Sequence, residues 1–99
     1  MVAGLALLLA PPLSARADEL GKNVFTQIAQ PACAICHTLK AAGAAGTIGP
    51  SLDELKPDKA RVMDAVKNGL GVMPPFAGKL TAQQMDAVAD FVAKATAGQ

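Results

Sequence analysis

The chain has no tryptophan and no tyrosine, and only three phenylalanines, two cysteines and one histidine in 99 residues. Each shortage excludes something. Two cysteines close at most one disulfide, so a multiply stapled secreted scaffold is ruled out. Two thiols and one imidazole also fall short of the four ligands of a structural zinc site. Nine Lys and Arg face eight Asp and Glu, which leaves no excess positive charge to hold nucleic acid. No apolar run approaches the roughly 20 residues that span a bilayer, and no stretch alternates apolar and polar residues as a half-buried strand does. The apolar residues are largely alanine, which buries little area. A domain this small is marginal on its own core and needs a staple, a metal or a large cofactor to complete it.

The first 17 residues, MVAGLALLLAPPLSARA, have the shape of an export leader. Residues 2–10 are apolar, Pro11 and Pro12 follow, and Ala15-Arg16-Ala17 forms an A-x-A pattern before Asp18. That pattern predicts cleavage after Ala17 and a secreted or periplasmic location, although no Lys or Arg precedes the apolar run. Residues 18–99 then form one domain with no membrane span, and loss of Arg16 balances its charges.

Three helices are expected and no strand. The first covers residues 18–29, capped by Asp18, with Gly21, Val24, Phe25 and Ile28 on one face and Pro31 beyond its end. The second covers residues 57–68, with Pro57 in its first turn and Gly69 at its C-terminal cap. The third starts at Thr81, which forms a capping box with Gln84. Met85, Val88, Ala89, Val92 and Ala95 give it an apolar stripe, with Phe91 at the edge. Two loops intervene: KAAGAAGTIGP, with Gly43, Gly46 and Gly49 three apart, and GLGVMPPF, where Pro74 pushes Met73 out of helical conformation.

Both thiols and the imidazole fall within CAICH, Cys33 to His37. C-x-x-C-H is the attachment signature of c-type haem. One helical turn presents Cys33 and Cys36 to the two vinyl groups of the porphyrin, and His37 turns its ring to the iron. The export leader agrees, because attachment takes place outside the cytoplasm. A thioredoxin-type redox pair belongs at a helix start after a strand, and no strand pattern is present. A haem also supplies the missing core volume.

Haem iron takes six ligands, and there is no second histidine. Of the four methionines, Met1 leaves with the leader. Met63 and Met85 sit at helical spacing, where methionine is normally core filling. Met73, in a loop stiffened by two prolines, is the favoured sixth ligand.

The chain resembles the class I cytochromes c, in particular small bacterial monohaem members. The likeness extends over nearly all of residues 18–99 and rests on CAICH, on IGPSL at 48–52, on GVMPPF at 71–76, and on the terminal helices with Gly21, Phe25 and MDAVADFV. It implies an all-α class I fold, with three main helices and loops wrapped around one covalent haem. It implies that Gly21 meets Phe91 where the terminal helices cross. It also implies that the Pro50 carbonyl, in Gly49-Pro50-Ser51-Leu52, accepts a hydrogen bond from His37. Ile48, Leu52 and Val72 are then expected to wall the haem.

His and Met ligation leaves the iron no open position for substrate, and the soft methionine favours the reduced state. The expected function is therefore one-electron transfer in the periplasm, not enzymatic catalysis. Similar small cytochromes accept electrons from sulfite dehydrogenases, which makes such an enzyme the expected donor, with a terminal oxidase or another cytochrome as acceptor. The chain alone is expected to be monomeric. Two alternatives stay open: a haem enzyme or gas-binding protein in which Met73 is displaced, and a permanent cytochrome subunit of a dehydrogenase complex. Lys22, Lys40, Lys67 and Lys79 are candidates for a docking face.

Overall fold

A computed structural model describes Gly4 and residues 9–99. Most of the apolar run expected to be the leader's centre lies outside the described residues. Among the described residues, no helix is long and apolar enough to cross a membrane.

Helix α1 (Leu13–Asn23) starts earlier than its sequence pattern indicated. Pro12 precedes it in extended conformation (φ −60°, ψ 154°), and Ser14-Ala15-Arg16-Ala17 contains nothing that breaks a helix. Asp18 is therefore an interior helical residue and not a cap. Its carboxylate instead lies 4.0 Å from Lys94 on the last helix. A π-helical turn (Val24–Ile28) continues α1 and buries Val24 and Phe25. The chain becomes extended at Ala29, ahead of Pro31.

Helix α2 is the single turn Cys33–Cys36. Next comes a two-residue antiparallel ladder, β1 (Thr38–Leu39) against β2 (Ala44–Ala45), closed by a 3-10 turn at Lys40–Ala42. The fold is thus helical but not purely all-α. Two residues per strand are too few for alternation to show in sequence, and the ladder forms because Leu39 inserts fully into the core. Helix α3 (Leu52–Leu55) was also not foreseen; Ser51 caps it. Helix α4 (Lys59–Asn68) begins two residues after Pro57, because Asp58 accepts the Arg61 N–H at 2.8 Å and so defines the cap. Helix α5 (Ala82–Ala97) carries the expected Thr81–Gln84 capping box.

The core gathers where α1 crosses α5. A Cβ built on Gly21 meets the Ala87 carbonyl oxygen at 2.4 Å and the Phe91 Cβ at 2.5 Å, so only glycine permits this approach. The crossing seats Phe91 against Phe25, edge to face, with ring centroids 6.5 Å apart. Phe91, at the edge of the α5 stripe, is buried by this contact. Val24, Val88 and Val92 complete the layer. Outside it, Lys59 pairs with Asp86 at 2.9 Å and Lys94 with Asp90 at 2.9 Å. These pairs are substantially exposed and contribute little to stability. The three long helices thereby hold open one side of the molecule, where α2 and the two long loops lie.

Candidate functional site

That open side is a cavity of about 420 Å³, a size suited to a cofactor. Cys33, Cys36 and His37 lie in its wall. Ala32 enters α2 in extended conformation, and the His37 N–H closes the turn on the Cys33 carbonyl at 3.0 Å. Three residues of helix bring both thiols to one side. Both cysteines are half-buried, and burial pushes the Cys33 thiol up to about 11. Cys33 therefore stays protonated at neutral pH.

His37 leaves the turn extended (φ −116°, ψ 138°). Its Nδ1 lies 2.8 Å from the Pro50 carbonyl oxygen. A carbonyl only accepts, so Nδ1 carries a proton and donates, and it is Nε2 that is left to face a ligand. The ring lies against Gly49, where an added Cβ would be 2.7 Å from Cε1. Gly49 in turn donates its N–H to the Cys36 carbonyl at 2.7 Å. Gly46 passes as closely over α2, with room for no Cβ beside the Ile35 carbonyl, and Thr38 Oγ1 donates to the Gly46 carbonyl at 2.8 Å. Two of the three evenly spaced glycines, Gly46 and Gly49, thus let the loop pack onto the CAICH turn and its histidine, while Gly43 takes the left-handed conformation that ends the 3-10 turn.

Met73 lies in a second wall of the cavity. Leu70 and Met73 exchange both backbone hydrogen bonds at 3.0 Å, which makes a tight turn. Gly69 enters it at φ 73°, ψ 172°, a conformation nearly restricted to glycine. Its missing side chain leaves room for the Met73 carbonyl, which would lie 2.7 Å from a Cβ there. The Phe76 N–H then bonds the Val66 carbonyl at 2.8 Å and fixes the loop to α4. Of the described methionines, Met73 lines the cavity and Met63 and Met85 do not; Met85 is buried in the core, and Met63, like Met73, packs against it.

The remaining expected wall residues divide by exposure. Leu52, Ile48 and Val72 all line the cavity; Leu52 is buried, and Ile48 and Val72 are 68% and 89% exposed. Leu55, Pro57, Val62 and Phe76 also line it. They went unrecognised because an apolar residue at a helix end or in a loop carries no signature of what it covers. Arg61 and Asp64 on α4 are the charged side chains among the lining residues. Among the described residues, no cluster of three or more His, Cys, Asp or Glu is placed to hold a metal.

Comparison with known proteins agrees with this geometry. The family described as cytochrome c oxidase, cbb3-type, subunit III, matches residues 16–92. The chain is 35% identical over 95 residues to cytochrome c6 of Rippkaea orientalis, covering 88% of this chain and 78% of that protein. It is 45% identical to the c-type cytochrome SorU of Sinorhizobium meliloti in its crystal structure, with a TM-score of 0.79 over 83% of this chain and 93% of that one. This chain is a class I c-type cytochrome. Such cytochromes carry electrons and are not enzymes. The family implies covalent haem c with its iron. The residues of this cytochrome fit that group: two thiols one helical turn apart, an imidazole held through Nδ1 with Nε2 left for a ligand, a thioether in a loop that lines the same cavity, and a largely apolar lining.

Proposed function

We propose that this cytochrome is a periplasmic one-electron carrier with a single haem bound at Cys33 and Cys36 and ligated by His37 and Met73. The observation that carries the proposal is the placement of His37 and Met73 in the wall of one cavity from which Met63 and Met85 are absent. When bound, haem supplies a one-electron ferric–ferrous couple. The protein's own groups do the rest. Cys33 and Cys36 tether the macrocycle edge. Nδ1 protonation commits Nε2 of His37 to the iron, and the Pro50 carbonyl holds the ring in place. The tight turn at Leu70–Met73 keeps the thioether from swinging away. Leu52, Val66, Phe76 and Val88 exclude water. A saturated, dry site changes little with oxidation state, which suits electron transfer.

On this proposal residues 1–17 are an export leader and residues 18–99 the functional domain. The donor is a sulfite dehydrogenase, by resemblance to small cytochromes that serve such enzymes, and the acceptor is a terminal oxidase or another cytochrome. The isolated carrier is a monomer. The test is spectroscopic. The purified protein should have the mass of residues 18–99 plus one haem, show the ferric methionine-to-iron band in the near infrared, and not bind carbon monoxide when ferrous at neutral pH. Met73→Ala should lose the band, bind carbon monoxide and fall in potential. Ready carbon monoxide binding by the wild type would overturn the carrier proposal.

A further inference from the structure

Two chain segments meet at the proximal side of the site. One runs from His37 through β1 to Lys40, and the other from Pro50 into α3. They are tied at two points three residues apart in each segment. His37 Nδ1 donates to the Pro50 carbonyl at 2.8 Å. Three residues on, the Lys40 backbone N–H donates to Asp53 Oδ2 at 2.8 Å. The other carboxylate oxygen, Oδ1, accepts from Gln99 Nε2 at 2.6 Å, and the Gln99 carbonyl accepts from Lys56 Nζ at 2.6 Å. Each Asp53 oxygen thus has a donor from a different part of the chain. These donors hold the carboxyl below its ordinary value, Gln99 contributing most and the Lys40 N–H next.

The first tie joins a histidine ring to a proline carbonyl, both uncharged. The second is charge-assisted and joins backbone to the first turn of α3, so it is the stronger and the more rigid of the two. We infer that Asp53 is a positioning residue: by clamping Lys40 to α3 it holds the Pro50 carbonyl on His37 Nδ1 and so tunes the haem potential. This rests on the proposed ligation by His37. A firm hydrogen bond at Nδ1 makes the imidazole a better donor to iron and favours the ferric state. Loosening it raises the potential.

Removing a negative charge near the haem also raises the potential, and the two causes separate by choice of variant. Asp53→Asn removes the charge but keeps an oxygen for the Lys40 N–H. Asp53→Ala removes both. Haem-loaded wild type and both variants are compared by redox titration and by hydrogen exchange of the His37 ring N–H, read by NMR. The clamp predicts a clearly larger rise in potential for Ala than for Asn. It also predicts ring N–H exchange faster by about tenfold or more in Ala alone, the effect of weakening one hydrogen bond. Equal potentials and equal exchange in Asn and Ala would overturn the clamp and leave a through-space charge effect. A wild type without a low-spin, His-ligated spectrum would overturn the ligation itself and this role with it.

Discussion

Gly21→Ala sets two physical effects of opposite sign against each other. In a helix interior, alanine is favoured over glycine by about 1 kcal/mol, so on propensity alone the variant is more stable. Packing opposes this. The new Cβ would lie 2.4 Å from the Ala87 carbonyl oxygen, where ordinary contact begins at 3.4 Å, so α1 and α5 must part by about 1 Å. The obstructing atoms are backbone and the root of Phe91, not a flexible side-chain end. Parting by that distance forfeits a quarter to a half of each dispersion contact along the crossing. Overpacking of this kind costs about 1–3 kcal/mol, and both obstructions being rigid puts Gly21 at the upper end. The net expectation is a loss of about 2 kcal/mol. For a domain of this size that lowers Tm by about 8–16 °C. Guanidinium unfolding of the haem-loaded protein, followed by far-ultraviolet circular dichroism, reads it directly. A midpoint equal to or above the wild type would refute the crossing geometry.

Three further outcomes are expected. His37→Ala should block maturation or leave a high-spin, unstable product in the optical spectrum, because no other histidine exists to replace it. Gly69→Ala should cost about 1–3 kcal/mol from its backbone conformation alone, and should weaken the near-infrared band because its Cβ displaces the Met73 carbonyl. Asp53 titrates lower in the folded chain than in the unfolded one, through Gln99 and the Lys40 N–H. Its stabilising contribution is complete above the ordinary carboxylate pKa and is lost as pH falls through the folded value. Acid unfolding of Asp53→Asn should therefore show a shallower loss of stability below about pH 4.

The sequence made legible what depends on residue type at fixed spacing. CAICH, the Thr81–Gln84 box and the stripe on α5 are local patterns, and each stands in the structure where it was read. Gly49-Pro50 was legible only through resemblance, since nothing local says which group a proline carbonyl will meet thirteen residues back. The misreadings share a cause. Asp18 has the chemistry of a cap, but a helix starts where the chain first permits it, and Pro12 lies upstream. The ladder at Leu39 and Ala44, the turn α3 and the packing of Gly46 and Gly49 onto CAICH come from tertiary contact, which overrides weak local preference. Ile48, Leu52 and Val72 all line the cavity, as the resemblance implied, Leu52 buried and the other two exposed.

The crossing of α1 with α5 joins the two ends of the sequence. Cys33 and Cys36 lie in a short internal stretch, so no disulfide holds the terminal helices in place. Their docking must close a loop of nearly the whole chain, an entropic cost met before the contact repays it. Once the helices part, Gly21 loses its contact with Ala87 and Phe91, and Phe25 loses its aromatic partner. The terminal helices therefore form one cooperative unit that is remote in sequence. Fraying at either end loosens the other.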